Sequence, residues 1–219
     1  AADRITNSTA SQDATITDAT GLIASYSWTQ IGGPGTITFG SANAEDTTIS
    51  ADTDGNYSIK LLVTDTSGNY GSDTINFTWD TTNPAINAGA DVLTNATKAQ
   101  DATITDATTL LTSYVWLQTS GPGTITFGSQ TSEDTTIAAD TDGNYTIMLS
   151  VNDSAGNTAT DTINFTWDTA GPSVNAAADR ITNSTASQDA TITDTTSPIA
   201  TYLWQKLAGP GTITFGSAN

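Results

Sequence analysis

Residues 52–63 read DTDGNYSIKLLV, and residues 140–151 repeat the pattern as DTDGNYTIMLSV. The apolar residues at alternate positions of the first stretch are the same in the second: Tyr57, Ile59, Leu61 and Val63. The positions between them vary, since Lys60 is replaced by Met148. Successive side chains of a strand point to opposite faces, so the unchanged residues mark the core face. The stretch therefore predicts a half-buried β-strand that follows an Asp-Gly-Asn turn.

The whole chain repeats with a period of 88 residues. The motif GPGTITFGS begins at Gly33, Gly121 and Gly209, and residues 1–83 are identical to residues 89–171 at 55 of 83 positions without a gap. This period is longer than the roughly 20–50 residues of a solenoid unit and suits a domain with its own core. We therefore divide the chain into three repeats: repeat 1 (residues 1–83), which lacks its first strand, repeat 2 (84–171), which is complete, and repeat 3 (172–219), which is the first half of a unit.

The given sequence begins and ends within an 88-residue unit. The pattern favours a segment of a much longer repetitive polypeptide, in which neighbouring repeats of the same chain are the partners. The alternative is a self-assembling filament subunit. In that case strands from a neighbouring, identical chain would cover the sheet edges that the incomplete repeats leave open.

Short alternating segments separated by turn residues run through repeat 2. Gly33-Pro34-Gly35 and its copies supply the proline and glycine that a type II turn requires. The predicted strands are 84–90, 101–105, 112–119, 123–128, 134–139, 144–152 and 158–167. About seven short strands in fewer than 100 residues predict an all-β fold, with each repeat a two-sheet immunoglobulin-like sandwich.

A known family shares these features. Trp28 lies in a central strand, and Asp54-Gly55-Asn56-Tyr57 follows about 30 residues later, as in an immunoglobulin-type core with a tyrosine corner. The string YSWTQIGGPGTITF…TTISADTDGNYSIKLLVTDTSGN resembles PKD-like and bacterial immunoglobulin-like (cadherin-like) tandem repeats, and FTWDTTNP resembles the joints between them. The resemblance covers essentially the whole chain. It implies a large prokaryotic cell-surface protein, such as an adhesin, a stalk or a surface filament.

Composition excludes several classes of function. The chain has no Cys and no His, so disulfides, thiolate sites and histidine-based catalysis are absent. Its 23 acidic and 5 basic residues give a net charge of -18, which disfavours nucleic acid and anionic membranes as partners. No apolar run is long enough to span a membrane and no signal peptide is visible, so we expect a soluble segment whose export signal and anchor lie elsewhere.

All acidic residues recur wherever a copy of their position exists, whereas the basic residues vary. The ten positions are Asp3, Asp13, Asp18, Glu45, Asp46, Asp52, Asp54, Asp65, Asp73 and Asp80. One use for them is calcium, which takes six to eight oxygen ligands. Asp52, Asp54 and Asp65 are expected near one end of a repeat, and Asp80 lies at the joint ahead of Asp91. The calcium candidates are Asp52, Asp54, Asp65, Asp80, Asp91, Asp140, Asp142, Asp153, Asp168 and Asp179.

No segment matches the twelve-residue calcium loop that ends in a bidentate glutamate. The alternative is therefore that Asp54 is a turn residue and the other carboxylates are solvated, which would keep an extended surface protein soluble. No cofactor is required on either interpretation, and calcium is possible.

Asn-x-Ser/Thr sequons are frequent in the chain. They occur at Asn7, Asn56, Asn76, Asn95, Asn144, Asn152, Asn164 and Asn183. Asn76 and Asn164 alternate with inward-facing apolar residues, so they are expected on the outer face of the last strand. A secreted chain would carry glycans at such sites, although a sequence rich in Asn, Ser and Thr also produces sequons by chance.

The aromatic residues are expected in the core, because they occupy inward-facing positions of the predicted strands. Tyr26 and Trp79, near strand ends, are the candidates for partial exposure. Catalysis is not expected, since Ser lacks an activating base and no carboxylate pair is set apart by its environment.

Together these features predict a structural extension module: the shaft of an extracellular surface protein, with short Thr/Pro linkers that leave little room for flexing. Each domain would add roughly 35–45 Å. A self-assembling filament subunit and a carbohydrate-binding module are the alternatives. Exposed tryptophan and glycan affinity would indicate the carbohydrate-binding module.

Overall fold

The computed structural model describes residues 2–216, which form eighteen β-strands and no helix. Among these residues there is accordingly no helix long and apolar enough to span a membrane. The all-β prediction is confirmed. Repeats 1 and 2 are successive sandwiches, each with a hydrophobic core of its own.

Repeat 2 contains nine strands. They are β8 (Ala85–Asn87), β9 (Val92–Thr94), β10 (Lys98–Gln100), β11 (Thr103–Thr105), β12 (Leu111–Ser120), β13 (Ile125–Phe127), β14 (Thr135–Ala139), β15 (Gly143–Asp153) and β16 (Thr158–Trp167). One sheet has the order β12-β15-β16-β9, the other β10-β14-β13, and β8 pairs with β11. All pairings are antiparallel except that of β9 with β16.

The long hairpin of β15 and β16 organises the core of repeat 2. Tyr145 pairs with Phe165 and Ile147 with Ile163, so the inward positions of the two strands coincide. Trp116 of β12 lies beside Leu149 and is fully buried, and its indole N–H donates to the carbonyl oxygens of Ser132 and Glu133. Alternation along each strand therefore places the apolar residues in one layer between the sheets.

Repeat 1 follows the same plan with seven strands. They are β1 (Arg4–Thr6), β2 (Ala10–Gln12), β3 (Ile23–Gly32), β4 (Ile37–Phe39), β5 (Thr47–Ala51), β6 (Gly55–Asp65) and β7 (Tyr70–Trp79). The sheets have the orders β1-β7-β6-β3 and β2-β5-β4. Within the described residues, repeat 1 has no counterpart of the β8–β11 pair.

A tyrosine corner fixes the turn into the long central strand of each repeat. The Tyr145 hydroxyl donates to the carbonyl oxygen of Thr141 at 2.6 Å, and that of Tyr57 donates to Thr53 at 2.5 Å. Gly121 packs against the Tyr145 ring with a φ of +143°, and a Cβ at this position would lie 2.1 Å from Tyr145 Cδ1. Glycine is required here because both the backbone angle and the space exclude a side chain.

All seven strands predicted for repeat 2 are present, with bounds shifted by a few residues. Two further strands, β9 and β10, were not predicted. Each has three residues, but so do the predicted strands β8, β11 and β13, so a short length does not explain why these two were missed. β9 is held by parallel pairing with β16, about 70 residues away in the sequence, and by hydrogen bonds from Asn164 to Asp91 of 2.8 and 3.0 Å.

Repeat 3 is described up to residue 216 and contains one strand pair, β17 (Ser173–Asn175) with β18 (Thr191–Thr193). Six of its large apolar side chains are exposed: Val174, Ile181, Tyr202, Leu203, Leu207 and Ile213. The described part of repeat 3 is therefore not a closed sandwich.

Candidate functional site: the joint between repeats 1 and 2

Three chain segments meet where repeat 1 ends and repeat 2 begins. Asp80 follows β7 directly, Asp106 lies in the loop between β11 and β12, and Asp153 ends β15. Their carboxylate oxygens lie within 4.8 Å of one another. Asp80 is completely buried and Asp153 is 3% exposed. Docking of the repeats thus brings together three acidic groups that are distant in the sequence.

Hydrogen bonds cross this joint in both directions. The Thr109 hydroxyl donates to Asp80 Oδ2 at 2.6 Å, and Asn157 Nδ2 donates to the Asp80 carbonyl oxygen at 2.9 Å. Asn7 Nδ2 of repeat 1 donates to Asn157 Oδ1 at 3.1 Å. Since Asp80 and Asn157 are both buried, these bonds are shielded from water and restrict the rotation of one repeat against the other.

The turn that contains Asp153 is preorganised within repeat 2. Asp153 Oδ1 accepts hydrogen bonds from the backbone N–H groups of Ala155, Gly156 and Asn157 at 2.8–2.9 Å, and Asp153 Oδ2 accepts from Asn157 Nδ2. Gly156 has a φ of +97°, which suits glycine. The Asp-x-x-Gly-Asn sequence therefore forms a turn that is held by its own hydrogen bonds, and this turn presents Asn157 to Asp80.

Another acidic residue, Asp54, holds the linker residues Thr81 and Thr82 that follow Asp80. Asp54 Oδ1 accepts from the N–H and hydroxyl of Thr81, and Asp54 Oδ2 accepts from the Thr82 hydroxyl at 2.6 Å. Asp142 of repeat 2 binds Thr169 in the same way and accepts from the Ala170 N–H. The short linker is consequently attached to the repeat that precedes it.

The electrostatics of the joint are unfavourable without a positive charge. Burial raises the pKa of the Asp80 carboxyl, and the Asp106 and Asp153 carboxylates act in the same direction, against the hydrogen bonds from Thr109 and Thr82. All hydrogen-bond donors described for the three carboxylates are neutral N–H or O–H groups. A hard divalent cation would fit this donor set, because it prefers carboxylate oxygens and would offset their mutual repulsion.

The structure brings together only two of the ten calcium candidates, Asp80 and Asp153, and adds Asp106, which the sequence did not suggest. None of the other eight belongs to a group of three acidic side chains in residues 2–216 whose carboxylate oxygens lie within 4.8 Å of one another. Asp65 does not lie at the same end of repeat 1 as Asp52 and Asp54, because β6 separates them over its full length. Asp91 does not reach the joint carboxylates and instead accepts from Asn164.

Asp52 and Asp140 brace a neighbouring loop, where they accept hydrogen bonds from the N–H groups of Thr36 and Thr124. Asp65 accepts from the N–H groups of its own turn. The alternative interpretation treated these carboxylates as solvated, whereas each of them accepts backbone hydrogen bonds that hold a loop or turn in place.

The joint between repeats 2 and 3 repeats part of this arrangement. Asp168 corresponds to Asp80 and Asp194 to Asp106, and both line one cavity. The counterpart of Asp153 would fall beyond Asn219. Asp168 Oδ1 is buried without a hydrogen-bond partner among the described residues. Asp179, the last calcium candidate, is exposed in repeat 3.

Seven of the eight sequon asparagines are exposed, and Asn7 is half-buried at the joint. Asn76 and Asn164 lie on the outer face of β7 and β16 as predicted, where they bind Asp3 and Asp91. The oxygens of Asn56, Asn144 and Asn152 accept hydrogen bonds from the hydroxyls of neighbouring threonines. Asn95 and Asn183 lie in exposed bends.

The aromatic residues of repeats 1 and 2 lie in or against the cores, as predicted, except for Tyr70, which is exposed. Trp28, Trp79 and Trp116 are buried, and Tyr26 and Trp167 are half-buried. Phe165 stacks on Trp167 with ring centroids 6.0 Å apart. No planar group of exposed tryptophans is therefore present in repeats 1 and 2 as described.

The sequence matches the model of a known protein family over most of its length. The family model "K319L-like, PKD domain" matches residues 4–78 and 85–166. No curated protein matches the sequence.

Among solved structures, the chain is similar to the PKD domain of the KIAA 1837 protein, with 24% identity over 40% of this chain and 90% of that chain and a TM-score of 0.35. It is also similar to fibronectin(III)-like modules of CbhA from Clostridium thermocellum, with 12% identity over 76% of this chain and 90% of that chain and a TM-score of 0.38. The EC3–6 segment of protocadherin gammaB7 shows 12% identity, 70% and 45% coverage and a TM-score of 0.30. The family matches span most of repeats 1 and 2, and the chain therefore belongs to the K319L-like PKD domain family, with one such domain in each of these two repeats.

Proposed function

We propose that this chain is a structural spacer in a long extracellular protein: part of the shaft of an adhesin, a stalk or a surface filament. The observation that carries this proposal is the joint. A fully buried Asp80, bonded to Thr109 and Asn157 of the next repeat, holds successive sandwiches in one relative orientation. An array joined in this way gains length without losing stiffness.

The near-identity of the repeats supports the same function. Residues 1–83 and 89–171 differ at 28 of 83 positions, yet the joint-forming and loop-bracing acids recur in every available copy. A spacer needs the same joint many times, whereas an enzyme needs its reacting groups once. The PKD-like sandwich is typically a non-catalytic fold, and the chain is proposed to have no enzymatic activity.

Calcium belongs to this proposal as a stiffening ligand of the joint. The proposed ligands are two of the predicted candidates, Asp80 and Asp153, together with Asp106. Their carboxylate oxygens lie within 4.8 Å of one another, and Asp80 and Asp153 are buried. A bound divalent cation would link both repeats through carboxylates and would make joint rigidity depend on the ion.

Carbohydrate binding is less well supported. Stacking on a sugar requires exposed aromatic faces, whereas Trp28, Trp79 and Trp116 are committed to the cores of their repeats. The exposed sequons support a glycoprotein, in which sugars are attached to the chain and are not its ligands.

Surface labelling tests the proposed location. Antibodies raised against repeat 2 should label unpermeabilised cells of the source organism, and electron microscopy should show the label on extended structures that project from the surface. Label that appears only after permeabilisation would contradict the proposal.

A further inference from the structure

One hydrogen bond of the joint is made by the acceptor nitrogen of a sequon. Asn7 begins the sequon Asn7-Ser8-Thr9, and its Nδ2 donates to Oδ1 of the buried Asn157 of repeat 2 at 3.1 Å. N-linked glycosylation modifies this nitrogen of a sequon asparagine. The atom that would carry a glycan is therefore an atom that holds repeat 1 on repeat 2.

Most of the sequons lie inside strands and are poor acceptors in the folded protein. They begin at Asn56 in β6, Asn76 in β7, Asn144 and Asn152 in β15 and Asn164 in β16. The middle residue of each of these sequons is buried: Tyr57, Phe77, Tyr145, Asp153 and Phe165. A transferase binds the asparagine amide together with the hydroxyl two residues later, in a surface loop that can bend. A strand whose middle residue is anchored in the core cannot adopt that shape.

The remaining sequons share one position of the repeat, in a bend that follows β1 in repeat 1 and β9 in repeat 2. They begin at Asn7, Asn95 and Asn183, and each asparagine is followed by two exposed residues. The bend is preformed, since the Thr6 hydroxyl donates to the Ser8 carbonyl oxygen at 2.9 Å and accepts from the Ser8 N–H. Thr94 forms the same turn with Ala96. This position therefore has the loop geometry that the strand sequons lack.

A sugar on Asn7 would oppose the docking of repeat 2. The side chain of Asn157 is held in place, because its Nδ2 donates to the Asp80 carbonyl oxygen at 2.9 Å and to Asp153 Oδ2 at 2.8 Å. Its Oδ1 lies at hydrogen-bond distance from Asn7 Nδ2, which leaves no space for a sugar ring between the two side chains. Moving Asn157 aside would break these bonds and leave buried polar groups without partners. Modification of Asn7 and docking of the repeats therefore compete.

We propose that Asn7 is a glycan acceptor of the folded chain and that a glycan there undocks repeats 1 and 2, so that the unmodified joint is rigid and the modified joint is a hinge. In the transfer, Asn7 Nδ2 forms a bond to the anomeric carbon of a diphosphate-activated sugar. The bond from that carbon to the diphosphate oxygen breaks, the diphosphate leaves with the electron pair, and one amide proton passes to solvent. The inference rests on the proposed spacer function, because it describes how the stiffness of the spacer is regulated.

A soluble N-glycosyltransferase that moves glucose from UDP-glucose to Asn-x-Ser/Thr tests the choice of acceptor. Peptide mapping of the treated, folded 219-residue chain should place glucose on Asn7 and Asn95, and none on the strand residues Asn76 and Asn164. Thr109→Val, which removes a bond of the joint without changing a sequon, should raise the rate of modification at Asn7 and leave the rate at Asn95 unchanged. Glucose on the strand sequons but not on Asn7 would overturn the proposal.

Two matched variants separate the effect of a glycan on Asn7 from that of a glycan elsewhere. Thr97→Ala removes the sequon of Asn95 and leaves Asn7 as an acceptor. Thr9→Ala removes the sequon of Asn7 but keeps the asparagine and its hydrogen bond to repeat 2. Thr9 and Thr97 are both exposed, so neither change disturbs a core.

The distance between the two repeats reports the state of the joint. With spin labels on Thr38→Cys and Thr126→Cys, at exposed positions of β4 and β13, glucosylation should broaden the distance distribution of the Thr97→Ala chain and leave that of the Thr9→Ala chain narrow. A Thr97→Ala distribution that stays narrow with glucose on Asn7 would overturn this inference and leave the spacer function standing. A distribution that is broad before glucosylation would contradict the spacer function, and the inference would fall with it.

Discussion

The Thr109 hydroxyl of repeat 2 donates a 2.6 Å hydrogen bond to Oδ2 of Asp80, the residue that follows the last strand of repeat 1. The acceptor is fully buried, so the bond satisfies a carboxylate oxygen that water cannot reach. Among the described residues, this bond and two bonds of Asn157 join the end of repeat 1 to repeat 2, and we expect them to set the relative orientation of the two repeats.

Removing the Thr109 hydroxyl should uncouple the repeats. Thr109→Val leaves Asp80 Oδ2 buried without a donor, at a cost of about 1–3 kcal/mol in the free energy of unfolding of the coupled pair. Urea unfolding should then show separate transitions for repeats 1 and 2. Thr108→Val is the control, because that hydroxyl has no hydrogen-bond partner within residues 2–216, and it should leave the coupling unchanged. Equal curves for both variants would contradict the proposed joint.

The tyrosine corner should contribute measurably to each sandwich. Tyr145→Phe removes the hydroxyl that donates to Thr141 and should lower the unfolding free energy of repeat 2 by about 1 kcal/mol. Tyr114→Phe is the matched control, since the Tyr114 hydroxyl makes no hydrogen bond with any described residue. Denaturant unfolding of both variants measures the difference, and a loss for Tyr114→Phe as large as that for Tyr145→Phe would refute the corner's role.

Two glycines with different surroundings should respond differently to alanine. Gly121→Ala combines a φ of +143° with a Cβ 2.1 Å from the Tyr145 ring, and should cost about 2 kcal/mol or more. Gly71→Ala meets nothing within 4 Å, and its counterpart in repeat 2 is already Ala159, so we expect no loss. Thermal unfolding of the two variants measures this difference: Gly121→Ala should lower the unfolding temperature, and Gly71→Ala should leave it unchanged.

The pH dependence of stability should have opposite signs at two acids. Burial raises the folded-state pKa of Asp80 above 3.8, so its contribution to stability is greatest below pH 3.8 and declines as the pH rises through the raised value. The hydrogen bond from the Thr124 N–H lowers the pKa of Asp140, whose contribution is therefore present above pH 3.8 and is lost as the pH falls through the lowered value.

Variants separate these two effects. In a chelating buffer, the unfolding temperature of the wild type relative to Asp80→Asn should fall as the pH rises from 3.8. Relative to Asp140→Asn it should rise over the acidic range. The same trend for both variants would show that the environment of Asp80 has been assigned incorrectly.

Calcium should stabilise the joint through three carboxylates. At a concentration about 100 times the dissociation constant, a ligand specific to the folded state adds about 2.7 kcal/mol. Calorimetry should show a higher unfolding temperature with Ca²⁺ than with chelator for the wild type and for Asp52→Asn, which lies outside the group. Asp80→Asn should abolish this shift. Identical curves for the wild type with and without Ca²⁺ would exclude the metal.

The all-β fold could be predicted from the sequence because the patterns that indicate it lie within single strands. Alternation in residues 57–63 and 145–151 identifies the core face within a single strand, and the repeats reveal which positions tolerate change. The three-residue strand β9 was not predicted because the strand it pairs with, β16, is about 70 residues away in the sequence.

The joint was only half predicted for a related reason. Asp80 could be singled out by its place before the linker. Asp153 was a candidate as the counterpart of Asp65, which was expected near Asp52 and Asp54 at one end of a repeat. Asp106 looks like an ordinary turn residue, since its carboxylate accepts from the N–H groups of Thr108 and Thr109. Its position beside Asp80 follows from how one domain docks on the next, which no local pattern encodes.

The central claim is that repeats 1 and 2 are held in one fixed orientation. Since the chain has no native cysteine, Thr38→Cys and Thr126→Cys place one spin label on each repeat at equivalent exposed sites of β4 and β13. Double electron–electron resonance should give a single narrow distance distribution, as narrow as that of a control pair at Thr103 and Thr126 within repeat 2, and Thr109→Val should broaden it. A broad distribution in the wild-type chain would contradict the rigid spacer.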